Sequence, residues 1–156
     1  FGNMPYSLRH IARAWKLNMQ ALDSDVENEV TLLMGGRRGV QADELIRQGV
    51  PLVALDRLAK HGVDVVGLGI IKPRTLSHRR SRGETLSPAE GDRLYRAGRI
   101  ILLAEEVFGS QEKASRWLRK PRKALGGISA LEAIATTPGY IAAGQLLEQL
   151  RHGFAA

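Results

Sequence analysis

The stretch SPAEGDRLYRAGRIILLAEEVF, Ser87 to Phe108, decides the fold. Ser87 is placed to cap a helix, Pro88 suits the first helical position, and Glu90 completes an S-x-x-E capping box. Leu94, Ala97, Ile101, Ala104 and Phe108 recur at steps of three and four, and Ile100, Leu103 and Val107 widen that apolar face. Gly109 is suited to end the helix, because glycine enters the left-handed region without a Cβ penalty. At about 1.5 Å per residue the helix runs roughly 33 Å, enough to span a small domain. One basic segment precedes it, KPRTLSHRRSR, and another follows, KASRWLRKPRK. The helix therefore reads as a spine between two charged regions.

The whole chain has 156 residues, 44% of them apolar, which suits one domain or two small ones with a true core. No run of 18 apolar residues occurs, so no transmembrane helix is expected, and no signal peptide is visible. The residues FGN before Met4 look like the remnant of a cleaved tag, so a natural start at Met4 is expected. With no cysteine there is no disulfide, thiolate metal site or cysteine nucleophile, which fits a cytoplasmic protein. The net charge of +7 is unevenly placed. Residues 1–70 hold eight Lys/Arg and eight Asp/Glu, whereas residues 71–156 hold fifteen against eight. A localised basic excess is the footprint of a protein that meets a polyanion, the bland alternative being a solvated basic face.

Pro5 to Lys16 reads as a short helix with Leu8, Ile11, Ala12 and Trp15 on one face, Trp15 serving a core or a dimer contact. Asp23, Asp25, Glu27 and Glu29 alternate as in a calcium loop, but the central glycine and the distal glutamate are missing, so that site is rejected. Glu29 to Met34 is ambiguous between strand and helix. Gly35 to Gly39 is a loop without the Lys-Ser/Thr of a phosphate cradle. Helices are then expected over Gln41–Gln48, ended by Gly49, and over Pro51–His61, ended by Gly62. Asp64 is placed to cap a brief helix broken at Gly67 and Gly69, and Pro73 to open a further one. Helix, short helix, glycine turn and basic helix form a helix-turn-helix pattern, with a turn lengthened by Ile70 and Ile71.

The basic helix holds Lys72, Arg74, Arg79, Arg80 and Arg82 with no acid among them, and Leu76 as its one large apolar residue. Such a helix fits a DNA major groove. Lys72, Arg74, Thr75, Ser77, His78, Arg79 and Arg80 are the candidate contacts, to base edges or phosphates. The competing reading makes Arg79 to Gly83 a solvated linker.

Beyond the spine, Lys113 to Trp117 continues as a helix that Pro121 stops, anchored by Trp117 and Leu118. Its cations, including Arg116 and Lys120, mark a partner surface, extra phosphate contacts or a solvated face. Leu125-Gly126-Gly127 is a turn, Ser129-x-x-Glu132 repeats the capping box, and Thr137-Pro138 caps a last helix to about Arg151. Tyr140, Ala143, Leu147 and Leu150 share one of its faces, and His152 to Ala156 form a loose end.

From about Gly49 onward the chain resembles the antitoxins of RES–Xre toxin–antitoxin systems, the Xre/MbcA/ParS family. The resemblance rests on RTLSHRR, LSPAEGDRLYR, AEEVFG, WLRKPRKALGG and LLEQLRHGF, which together cover about two thirds of the chain. Arg122 stands where that family often has Asn after the proline, and Ser129-Ala130-Leu131-Glu132 where Pro-Leu-Glu is common. The resemblance implies an all-α fold: an Xre-like helix-turn-helix region, the long spine, then a small helical toxin-binding region. It further implies a partner, a RES-domain toxin that consumes NAD, and repression of the antitoxin's own operon. Boundaries are expected at 1–40, 41–84 and 85–156.

Neither catalytic nor metal-binding residues are expected, and no cofactor: His10, His61, His78 and His152 are scattered and the carboxylates do not cluster. Blocking a toxin needs only a surface that fills its cleft. The candidate plug is the last helix and tail with Leu147, Leu150, Arg151, His152 and Phe154, assisted by Arg116 and Lys120. Arg151 and Phe154 are expected at the toxin's NAD pocket. A palindromic operator, a homodimer and a higher-order complex with toxin complete the expectation. The alternative is a stand-alone helix-turn-helix repressor answering to a small ligand held near the C-terminal helices.

Overall fold

Helices form where a capping residue and an apolar stripe coincide in sequence, and the spine is the clearest instance. The computed structural model describes residues 26, 28–37 and 39–153. The expected Pro5–Lys16 helix with Trp15 lies outside them, as do Asp23, Asp25 and Glu27 of the rejected calcium loop, and Phe154 with the end of the tail. All regular elements among the described residues are helical, apart from one antiparallel bridge between Arg122 and Ile128.

Residues 28–33 are helical, which resolves the ambiguous stretch, and Val30, Leu33 and Met34 are buried. Then come α1 (Val40–Gln48), α2 (Val53–Ala59), α3 (Pro73–Arg82) and the spine α4 (Pro88–Phe108). After it follow α5 (Gln111–Arg119), a 3-10 turn (Lys123–Leu125), α6 (Ala130–Ala133) and α7 (Thr137–Gly153). The expected helix from Pro51 is shorter, and the brief helix after Asp64 is a sequence of turns. There the Asp64 carboxylate accepts the Val66 N–H at 3.1 Å and the Asp64 carbonyl accepts the Leu68 N–H at 2.9 Å. Gly67 and Gly69 break the chain before a second helical turn accrues.

Both capping boxes form. Ser87 accepts the Glu90 N–H at 3.3 Å while the Glu90 carboxylate accepts the Ser87 N–H at 2.8 Å. Ser129 and Glu132 repeat the arrangement at 3.2 and 2.8 Å. Gly83 and Gly109 end α3 and α4 in the left-handed region. At α7 it is Thr136, not Thr137-Pro138, whose hydroxyl accepts the Gly139 N–H, at 3.2 Å, and the helix runs on through His152 and Gly153.

The spine touches α1 on one side and α5 and α7 on others. Gly91 eases the close packing of the segment that follows α1: a Cβ there would stand 3.0 Å from the Val50 methyl. Leu94, Ile100, Ile101 and Leu147 are fully buried with Val50, Leu55, Leu58, Ile70 and Leu86, so a single core passes from the first half of the molecule into the second.

Candidate functional site

Two surfaces flank the spine, and each is built on a clamp. The first is α3. Its N-cap Lys72 is extended and Pro73 occupies the first turn, so the helix starts abruptly with its cations exposed. Lys72, Arg74, Ser77 and His78 face solvent, and Thr75 is half-buried. Lys72 and Arg74 form no ion pair among the described residues. Arg79 is different: its side chain is only 18% exposed, pairs with Glu90 and donates to the Thr85 carbonyl at 3.2 Å. Arg80 pairs with Asp56 of α2 at 2.9 Å and keeps about half of its surface. Arg79 and Arg80 thus fasten α3 from behind and from the side, and Lys72, Arg74, Ser77 and His78 form its outward face.

Arg57 of α2 reaches back to the carbonyls of Leu32 and Leu33, both at 3.4 Å. Three contacts join the turn after α2 to the second half. The His61 Nδ1 lies 2.9 Å from both Glu105 carboxylate oxygens, Gln111 donates to the Lys60 carbonyl at 3.0 Å, and Arg119 to the Gly62 carbonyl at 3.0 Å. Among the described residues no group of His, Asp or Glu has metal-ligand geometry.

The second surface lies on α5 and α7. Arg116 and Lys120 are exposed, Arg116 paired with Glu112 at 2.7 Å on its own helix. Leu147 is 0% exposed, a core residue rather than a free contact, because it falls on the stripe that packs against the spine. Arg151 is 10% exposed and is held by Glu106 of the spine at 2.8 Å and by Glu148 at 3.2 Å. Leu150 and His152 are half-buried, His152 lying 3.8 Å from Glu148. The expected plug therefore separates into two fastenings, Leu147 and Arg151, and the more open Leu150 and His152.

Behind this surface Trp117 packs on Phe108, their rings 5.7 Å apart, and the Arg122 guanidinium sits 4.3 Å over the indole. Burial lowers the Arg122 pKa from its usual value, and the cation is compensated by the indole face and the Trp117 carbonyl at 3.4 Å.

Sequence reasoning missed two features. Ile141 is 50% exposed beside Tyr140, Leu103, Arg99 and Gly144, where α4 and α7 leave a groove of about 210 Å³. Its signal was an isoleucine set off the buried stripe of α7. Arg93, exposed on the spine, lines a larger cavity of about 770 Å³ that runs from α3 to the residues after α6.

Residues 41–99 match the Antitoxin Xre-like helix-turn-helix domain, and residues 103–153 the Antitoxin Xre/MbcA/ParS C-terminal toxin-binding domain. The two matches meet within the spine. The chain is 35% identical over 111 residues to Antitoxin Xre of Pseudomonas putida KT2440, covering 70% of each. It is 23% identical over 120 residues to Antitoxin Xre of Photorhabdus laumondii, covering 74% of this chain and 81% of that one. Over 126 residues it is 25% identical to the Prs ADP-ribosylating antitoxin of a Sphingobium species, covering 75% and 76%.

Proposed function

This chain belongs to the Xre/MbcA/ParS antitoxin family, and from that premise we propose that it blocks the active-site cleft of a RES-domain toxin and represses its own operon. It is an antitoxin with a helix-turn-helix. The observation that carries the operator reading is the division of labour on α3: Arg79 and Arg80 are spent on Glu90 and Asp56, while Lys72, Arg74, Ser77 and His78 face outward. Lys72 and Arg74 contact phosphates or guanine edges, Thr75, Ser77 and His78 supply shorter contacts, and Arg79 and Arg80 set the helix angle. The operator is palindromic and is read by a homodimer, with toxin completing a higher-order complex.

On the toxin side, Arg116, Lys120, Leu150, His152 and Phe154 supply the contact, and Leu147 and Arg151 hold α7 on the spine so that its end projects correctly. The protein acts by occupancy and carries out no reaction. One relative's name refers to ADP-ribosylation, a chemistry that draws on NAD, which agrees with an NAD-consuming toxin partner.

Co-expression with a RES-domain toxin, followed by pull-down and a viability assay, tests this reading. A stable complex that restores growth is expected, and a chain ending at Leu150 is expected to lose rescue. Full rescue by that truncated chain would remove the plug, and absence of any complex would remove the toxin assignment.

A further inference from the structure

The cavity of about 770 Å³ lies between the two family-matched regions; it borders the proposed operator face at Lys72 and Thr75 but runs inward from it, past Arg93 of the spine to Ile134 and Ala135. Its wall on the helix-turn-helix side carries three cations, Lys72, Arg79 and Arg93, and one acid, Glu90, already neutralised by Arg79. Lys72 and Arg93 are exposed and have no ion-pair partner among the described residues. Apolar lining comes from Ile71 on one side and Ile134 on the other, both buried. The size falls within the usual range for small-molecule sites, about 300–1,000 Å³. An occupant needs a negative group for the two unpaired cations and an apolar body for the isoleucines.

We propose that this cavity is a binding site for a small amphipathic anion, such as an apolar carboxylate or phosphate ester, that bridges the helix-turn-helix half and the C-terminal half. The inference goes beyond toxin and operator binding, and it stands if the toxin assignment fails. An occupant touching Lys72 and Arg93 as well as Ile134 favours one placement of α3 relative to the residues after α6. It therefore couples the DNA-reading helix to the toxin-facing region in the only way a ligand can, by binding one arrangement better than another.

Fluorescence titration of the full chain with 8-anilinonaphthalene-1-sulfonate, an aromatic sulfonate, tests the site. Saturable binding of one probe per chain is expected. Arg93→Glu, which turns an attraction into a repulsion, and Ala135→Trp, which fills the cavity from an exposed position, are each expected to weaken it by at least about tenfold. Ile141→Glu, in the separate groove between α4 and α7, is expected to leave the titration unchanged, and far-UV circular dichroism verifies that each variant is folded. No saturable binding, an unaltered titration in folded Arg93→Glu, or loss of binding in Ile141→Glu alone would each overturn the proposal. Should Ala135→Trp fail to fold, Arg93→Glu decides.

Discussion

Arg74 and Arg79 are the same residue type on the same basic helix, yet their surroundings assign them different parts. Arg74 is exposed and unpaired among the described residues, whereas Arg79 is mostly buried against Glu90 and the Thr85 carbonyl. Removing a surface cation changes stability by no more than about 0.5 kcal/mol, but removing one partner of a part-buried charged hydrogen bond costs about 1–3 kcal/mol. Arg74→Ala is therefore expected to weaken operator binding about tenfold at an unchanged melting temperature. Arg79→Ala is expected to lower both, the melting temperature by several degrees. Thermal unfolding beside fluorescence anisotropy on operator DNA separates the two. A melting temperature unmoved in Arg79→Ala would show that the Glu90 contact does not hold the helix. The same logic covers Arg151, fixed by Glu106 and Glu148: its loss is expected to act on toxin neutralisation through the seating of α7.

Among the elements, α6 is four residues long and depends on its cap for definition. Hydrogen bonding to the Ser129 backbone N–H, and then to the Ser129 side chain, holds the Glu132 carboxyl below its ordinary value of 4.5. A carboxylate with a depressed folded pKa stabilises the fold fully above the unfolded value, and that contribution fades as pH falls below 4.5 and through the lowered folded value. Glutamine can keep the capping geometry without titrating. Wild type is thus expected to lose melting temperature more steeply than Glu132→Gln between about pH 5 and pH 3. Parallel pH profiles would deny the box any acid-sensitive role.

Such local chemistry is what one sequence displays well. The spine, both capping boxes and the glycine stops at Gly49 and Gly109 were legible, because each signal lies within a few residues of its effect. Partnerships across the fold were not. Arg79 with Glu90 and Arg151 with Glu106 join different helices, and nothing in the spacing of an arginine marks it as already occupied. Leu147 was correctly placed on an apolar face but read as partner-facing, since periodicity cannot say whether a stripe meets its own chain or another. The cavity beside Arg93 is formed by side chains from distant segments and leaves no local trace at all.

At the scale of the whole molecule, the basic excess of residues 71–156 is spread over both halves and only part of it is directed at α3. If the α3 cations neutralise phosphates, log K for operator DNA falls linearly with log salt, by about 0.9 per contact. Lys72→Ala and Arg74→Ala are each expected to reduce that slope by about one, whereas Arg116→Ala and Lys120→Ala are expected to leave it alone. Equal reductions from α5 would move that helix onto the nucleic acid and away from the toxin surface.

The capping box at Ser87 has a mechanical consequence. Glu90 secures the first turn of the spine and also grips Arg79 of α3, so the fulcrum of the long helix and the seat of the basic helix share one carboxylate. From that fulcrum the spine extends roughly 30 Å to Phe108. A tilt of about 10° at Ser87 would carry the far end through roughly 5 Å, on the order of one helical turn. The spine has the length of a lever arm, and Glu90 stands at its pivot end, where loss of one carboxylate would release the first turn of the spine and α3 together.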